Sequence, residues 1–344
     1  MSTPDVAATI AELSLAEKVS LLSGSRFWHT KPIERKAIPS IMLTDGPYGL
    51  RKQNGQGSHL GLGESVPATC FPPAAALGSS WDAELLERIG EALGAEAAIE
   101  NVAVLLGPGI NIKRSPLCGR NFEYLSEDPV VSGVLGAAMV KGIQSRRVGA
   151  SLKHFAANNQ ERDRMRVSSD VDARPLREIY LRGFQRVVED AQPWTVMCSY
   201  NRINGVLASK DRWLLTTVLR DEWDFKGLVV SDWGAVDDRV AAIAAGMDLD
   251  MPGSNGKTDA DVVAAVENGS LRKEVVDVAA RRVLDLIGKT QAGPVIAGPL
   301  DVDAHHSLAR EAAGRSIVLL KNDGGLLPLR KDTDIAVIGA FAAE

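Results

Sequence analysis

An α/β fold, a TIM-like (β/α)8 barrel of parallel strands with helices outside, is the class this sequence predicts, on three observations. Short apolar runs of strand character alternate with helical stretches along most of the chain. Polar and charged residues recur directly after those runs, where the C-terminal ends of barrel strands gather reactive groups. No Gly-rich phosphate loop of P-loop or dinucleotide type is found, although an open doubly wound sheet would carry one at its first strand–helix turn. At 344 residues, 45% hydrophobic and 24% charged, the chain is long enough for one large barrel and an extension.

Residues 5–24 read as helical scaffold: Ser14 and Glu17 have capping-box spacing, Leu15, Val19 and Leu22 share a face, and Gly24 is placed to end the helix. Ile41–Thr44 is a strand followed at once by Asp45-Gly-Pro-Tyr-Gly-Leu-Arg51, a tight turn holding Asp45 at the strand end. Residues 52–63, rich in Gly, Asn and Gln, are expected to form an exposed, mobile loop. Ala74–Gly78 is read as a second strand, and Ser79, Ser80 and Asp82 offer caps for a helix to about Glu100. Val102–Leu106 is a third strand. The long polar loop after it carries Arg114, Arg120 and Glu123, and Asp128-Pro129 opens the next helix.

Gly149–Phe155 is a strand ending in Lys153 and His154. Neighbouring strand residues face opposite ways, so both reach one pocket only where the strand ends. A lone His is more often structural, whereas a Lys at a strand end is costly to bury without a partner. Val167–Val171 is a strand or hairpin arm, Pro175 opens a helix to about Asp190, and Trp194–Tyr200 is a strand with Met197 and Tyr200 near its end. A helix over Asp211–Glu222 leads to Leu228–Val230, too short for a helix and bounded by Gly227 and Gly234; Asp232 and Trp233 lie just past it, and Val236–Ala245 is helical. One Asp after one strand is ordinarily a helix cap; the recurrence of such strand ends is what argues for more. Asp248–Pro252 is a last short strand, with helices to about Gly288. These elements assign residues 1–290 to the barrel and 291–315 to a linker and connecting helix. Residues 316–344, with an apolar run at 316–321 and a buried strand at Asp334–Gly339, are read as the start of a second α/β domain.

A net charge of −5 gives no attraction to nucleic acid or an anionic membrane, and no apolar run approaches the length of a membrane span. Three widely spaced cysteines form neither a zinc pattern nor a disulfide framework, and the N-terminus shows no signal peptide, so a cytoplasmic location is expected. No metal spacing such as HExxH and no cofactor motif is present, so none is expected. The strand-end set of Asp45, Arg120, Lys153, His154, Tyr200 and Asp232, with the aromatic Trp233, is rich in donors and acceptors and suits a sugar. Glycoside cleavage uses an ionised carboxylate at the anomeric carbon and a protonated carboxyl at the leaving oxygen, and Lys153 and Arg120 would keep an Asp ionised.

Five motifs make a resemblance specific: Thr44-Asp-Gly-Pro-Tyr-Gly-Leu-Arg51, Gly119-Arg-Asn-Phe-Glu-Tyr-Leu-Ser-Glu-Asp128, Lys153-His-Phe-Ala-Ala-Asn-Asn-Gln-Glu161, Met197-Cys-Ser-Tyr-Asn201 and Val230-Ser-Asp-Trp-Gly234. In this order and over nearly the whole chain, they resemble the N-terminal part of glycoside hydrolase family 3 β-glucosidases. The resemblance implies that Asp232 is the nucleophile of a retaining exo-β-glucosidase. It implies that Asp45, Arg51, Arg120, Lys153, His154 and Tyr200 ring the non-reducing sugar, with Met197 and Trp233 as apolar wall. It makes residues 316–344 the opening of an α/β sandwich domain. The run Phe155–Gln160 lacks the Gly-His-Gly stretch and catalytic His-Asp loop of the family's single-domain N-acetylglucosaminidases. In the two-domain glucosidases the acid/base Glu lies in the second domain. It is therefore expected outside this chain, in a C-terminal domain or a separate chain, while Glu123 and Glu161 are read as partners of arginines. The expected partners are small β-glucosides or oligosaccharides, with homo-oligomerisation left open. The readings carried beside this one are a β-xylosidase of the same family, a sugar-binding barrel without turnover, and a Schiff-base lyase using Lys153.

Overall fold

A computed structural model describes residues 6–53, 64–295 and 298–342. Residues 1–5 and most of the Gly-rich loop expected at 52–63 lie outside the described residues. Ten short strands are present among the described residues: β1 (Gly24–Arg26), β2 (His29–Thr30), β3 (Leu43–Thr44), β4 (Val104–Leu105), β5 (Gly149–Phe155), β6 (Ser168–Ser169), β7 (Thr195–Cys198), β8 (Arg202–Ile203), β9 (Val206–Leu207) and β10 (Leu228–Ser231). A parallel sheet runs β3-β4-β5-β7-β10. It continues through parallel bridges Val230–Leu249 and Asp250–Ser23, crosses the antiparallel β1–β2 hairpin, and returns to β3 through the antiparallel bridge His29–Met42. Among the described residues this ring is therefore closed, which leaves the barrel sheet itself without an edge, while β6-β8-β9 forms a separate small sheet.

The N-terminal stretch differs from its sequence reading. Ser14 takes an extended backbone and caps a second helix, with the reciprocal Glu17 bond of a capping box, so the segment splits into Val6–Glu12 and Leu15–Leu21. Gly24 does not end the helix. It opens β1, where a Cβ would lie 2.3 Å from the Pro252 carbonyl oxygen, so only glycine admits this approach. Two staves of the barrel thus come from a hairpin at residues 24–30, just past the helical segment, where the sequence predicts no element. Ala74–Leu77 is a helical turn, not a strand: Pro73 precedes three alanines, and its carbonyl accepts from the N–H groups of Ala76 and Leu77.

The helices Ala83–Ile99, Pro129–Ser145 and Arg182–Ala191 pack outside the sheet. Alternate strand residues feed different apolar clusters: Val104, Met197, Leu228 and Val230 join one, and Leu105, Val196 and Val229 the other. The helix Val302–Ser316 docks on the barrel through Arg88–Glu311, Arg315–Asp82 and His305–Glu96 pairs. Beyond it, Ile317, Leu320, Ile338 and Phe341 are exposed, and residues 334–339 form no strand. A strand needs neighbours to complete its hydrogen bonds, and none lies beside this run among the described residues.

At the N-terminal face of the barrel Asp248 is buried. Its Oδ2 accepts from Arg220 Nη2 at 2.6 Å and from the Val229 N–H at 2.8 Å, and its Oδ1 accepts from Arg282 Nη1 at 3.0 Å. Three elements thus converge on one carboxylate. Asp248→Ala strands two partly buried guanidinium groups and should destabilise the fold by about 3–5 kcal/mol; a urea melt of the variant against the unsubstituted protein measures it.

Candidate active site

A cavity of about 490 Å³ opens at the C-terminal ends of the strands, a size suited to a small molecule. Asp45, Arg51, Arg120, Lys153, His154, Met197, Tyr200, Asp232 and Trp233, all nine residues singled out in the sequence, line it. The turn after β3 explains the first two. Gly46 has φ +127° and a Cβ there would meet the Gly49 carbonyl oxygen at 2.3 Å, so the chain doubles back tightly. The Arg51 N–H donates to the Asp45 carbonyl at 3.0 Å, and the Thr44 hydroxyl to the Arg51 carbonyl at 2.8 Å.

At the end of β5 the ladder with β7 slips. Leu152 faces Val196, but Phe155 faces Cys198, so three steps on one strand match two on the other. This bulge breaks the alternation of faces and lets the adjacent Lys153 and His154 both enter the cavity. Asn111 holds the irregular backbone from behind, accepting from the His154 N–H at 2.8 Å and donating to its carbonyl at 2.9 Å.

The Lys153 ammonium is buried between Glu123 Oε1 at 3.2 Å and Asp45 Oδ1 at 3.4 Å. Burial pulls its pKa down, but the Glu123 and Asp45 charges outweigh this and hold it above its usual value. Glu123 also accepts from Arg120 Nε at 2.7 Å and Nη2 at 2.5 Å; against its burial, Lys153 and Arg120 keep its carboxyl below the ordinary range. Arg120 Nη2 lies 2.9 Å from His154 Nε2. An arginine only donates, so Nε2 accepts and the imidazole proton sits on Nδ1, 3.2 Å from the Tyr124 hydroxyl. Burial, then Arg120, Lys153 and Arg164, hold His154 neutral with a pKa far below the usual one.

Asp232 follows β10 and is buried. Its Oδ1 accepts from the Trp233 N–H at 2.8 Å, while Oδ2 has no hydrogen-bond partner and lies 3.7 Å from His154 Nε2. Burial raises its pKa above the ordinary value, and Lys153, the Trp233 N–H, Arg120 and Tyr200 oppose that rise without cancelling it. The cations favour the ionised form, as expected of Lys153 and Arg120, but desolvation is the larger effect on the pKa. The Tyr200 hydroxyl donates to the Trp233 carbonyl at 2.9 Å, and the Arg164 guanidinium lies over the Tyr200 ring at 4.4 Å. Trp233 Nε1 donates to the Phe27 carbonyl at 2.6 Å, and its ring packs on Trp28 at 5.2 Å between centroids.

Sequence reasoning missed Phe27, Trp28, Gln53 and Arg164, which also line the cavity. Two adjacent aromatics, Phe27 and Trp28, were the available signal, and they fall between the segments assigned from the sequence. Glu161 pairs with Arg164 at 3.0 Å and Glu123 with Arg120, the arginine partners expected of both.

The chain matches the Glycosyl hydrolase family 3 N terminal domain over residues 46–286. It is 56% identical over 340 residues to thermostable beta-glucosidase B of Acetivibrio thermocellus, covering 99% of this chain and 45% of that protein. It is 52% identical over 345 residues to an exo-alpha-(1->6)-L-arabinopyranosidase of Bifidobacterium longum, covering 97% of this chain and 45% of that one. The crystal structure of a family 3 beta-glucosidase from Bifidobacterium adolescentis matches with a TM-score of 0.86 at 53% identity, over 93% of this chain and 46% of that one. Beta-glucosidase 3B of Thermotoga neapolitana in complex with glucose matches with a TM-score of 0.87 at 41% identity, over 94% and 48%. The chain thus spans about half the length of these relatives.

Glu123→Gln removes the charge shared by Lys153 and Arg120 and should cost about 3–5 kcal/mol of stability at neutral pH. A carboxyl with a depressed folded pKa stabilises above its unfolded value, here the ordinary 4.5, and loses that contribution as pH falls through the folded value. The gap between variant and unsubstituted protein in denaturant melts should therefore be level near neutrality and close below about pH 4.5.

Proposed function

Because the chain belongs to glycosyl hydrolase family 3, we propose that it carries the nucleophile half of a retaining exo-β-glucosidase. One observation supports this above the rest: Asp232 is a buried carboxylate with Oδ1 held by a backbone N–H and Oδ2 without a partner in a sugar-sized cavity. Asp232 Oδ2 attacks the anomeric carbon as the glycosidic C–O bond breaks, forming a glycosyl ester, and the departing oxygen takes a proton from a general acid. Water then attacks the same carbon, the ester bond breaks and its proton passes to the conjugate base, so two inversions give retention. Asp45, Arg51, Arg120, Lys153, His154 and Tyr200 hold the sugar's hydroxyls, and Met197 and Trp233 form the apolar wall.

The general acid is assigned to a segment beyond this alignment, which the relatives possess. Glu123 cannot serve, since Lys153 and Arg120 keep it ionised. We read residues 316–344, with their exposed apolar side chains, as the opening elements of the domain that supplies it. β-Glucosides are the favoured substrates because relatives at 56% and 53% identity are named beta-glucosidases. The lyase reading loses its support, because a Schiff base needs a free amine and two carboxylates keep Lys153 protonated.

Exposure to 2,4-dinitrophenyl 2-deoxy-2-fluoro-β-glucoside, whose leaving group needs no protonation, should place a fluoroglucosyl adduct on Asp232, read by peptide mass spectrometry. Asp232→Asn should lose roughly a thousandfold or more in rate, about 4 kcal/mol in barrier. An adduct on another residue, or none even with the C-terminal portion present, rejects the assignment. The labelling rate needs ionised Asp232, so it should fall as pH drops, with a midpoint above the ordinary aspartate value of 3.8; a pH–rate profile of labelling checks this.

A further inference from the structure

Three residues bring unpartnered buried polar atoms to the cavity wall: Asp232 with Oδ2, Trp28 with Nε1, and Gln53 with both Oε1 and Nε2. The mechanism above uses the first and leaves the other two unexplained. Gln53 is 5% exposed, and neither end of its amide bonds to another group of the protein. Its backbone is in order: Gln53 bridges Ser65, and the Val66 N–H donates to the Lys52 carbonyl at 2.9 Å. The orphaned carboxamide is therefore not the by-product of an unpaired strand. Burying a donor and an acceptor without protein partners is a cost that folded proteins offset with a ligand or an ordered water, and the polar cavity beside Gln53 has room for a ligand.

The chemistry of the group selects its complement. A carboxamide presents one acceptor and two donors on a planar head, and an ion of either sign would repel one end of it. A hydroxyl, which donates and accepts at once, satisfies both ends. The indole N–H of Trp28 adds a donor to the same cavity and likewise calls for an oxygen. Gln53 lies two residues after Arg51, so it extends the Asp45–Arg51 side of the pocket. We propose that Gln53 is a further sugar-binding residue, its carboxamide exchanging a pair of hydrogen bonds with one hydroxyl of the bound glycon. This rests on the glycosidase reading of the pocket.

The test pairs Gln53→Met, which keeps the volume and removes both polar atoms, with 2,4-dinitrophenyl β-glucoside and its 2-, 3-, 4- and 6-deoxy analogues in the active enzyme. The variant should lose about tenfold in kcat/KM on the parent and on every analogue except one. On the analogue lacking the contacted hydroxyl it should match the unsubstituted enzyme, which also identifies that hydroxyl. Its Tm should be unchanged or raised, because an unsatisfied amide has been replaced by an apolar group. An equal loss on all five substrates, no loss on the parent, or a lowered Tm would overturn the inference by making the amide structural or idle. If the unsubstituted enzyme does not turn over the parent glucoside, the glycosidase reading fails instead. Calorimetry with glucose and the free deoxy sugars then decides Gln53: one sugar insensitive to the substitution supports it, and a uniform effect or absence of binding overturns it.

Discussion

The ammonium of Lys153 cannot be buried alone, and much of the site follows from that constraint. Glu123 and Asp45 neutralise it from two directions, one from the loop after β4 and the other from the turn after β3. Each brings a companion. Glu123 fixes Arg120, and the turn that presents Asp45 also positions Arg51. With Arg120 and Lys153 both charged beside it, His154 stays neutral and offers a lone pair to Arg120 instead of an ion pair to Asp232. The long loop over residues 111–126 is thereby tied to the strand ends by charge as well as by packing.

The fold was legible where periodicity and chemistry agreed. Leu228–Ser231 was plain because a short apolar run between glycines has few alternatives to a buried strand, and Gly149–Phe155 because it is too short for a helix and ends in polar residues. The β1–β2 hairpin was not, because its strands are two or three residues long and close the ring through isolated bridges that leave no sequence period. Ala74–Leu77 was misread because an alanine run flanked by proline and glycine satisfies strand length while favouring helix. Residues 334–339 have strand composition, but a strand is a property of pairs, and a run without neighbours gives no such pair.

The site was legible through residue type more than through position. Each of the nine residues read from the motifs reaches the cavity, yet how Lys153 and His154 share it depends on a bulge that composition does not announce. Gln53 and Arg164 sit beside those motifs without belonging to their chemically expressive core. An uncharged amide after Arg51 looks like loop composition in a sequence, and becomes conspicuous only when its burial and lack of partners are known.

Burial and charge oppose one another at Asp232, and the outcome suits the nucleophilic role proposed for it. The cations Arg120, Lys153 and Arg164 line the cavity, but Glu123, Asp45 and Glu161 already engage them. Little positive charge is left over to bind Asp232 directly, which agrees with a carboxyl whose pKa burial has raised. A carboxylate locked to Arg120 would be too well stabilised to form an ester. Held by a single backbone N–H on Oδ1, it keeps Oδ2 available while the cations act at a distance. In the reaction proposed above, the same arrangement tempers the penalty for positive charge developing at the anomeric carbon, since Lys153, Arg120 and Arg164 are each matched by a carboxylate.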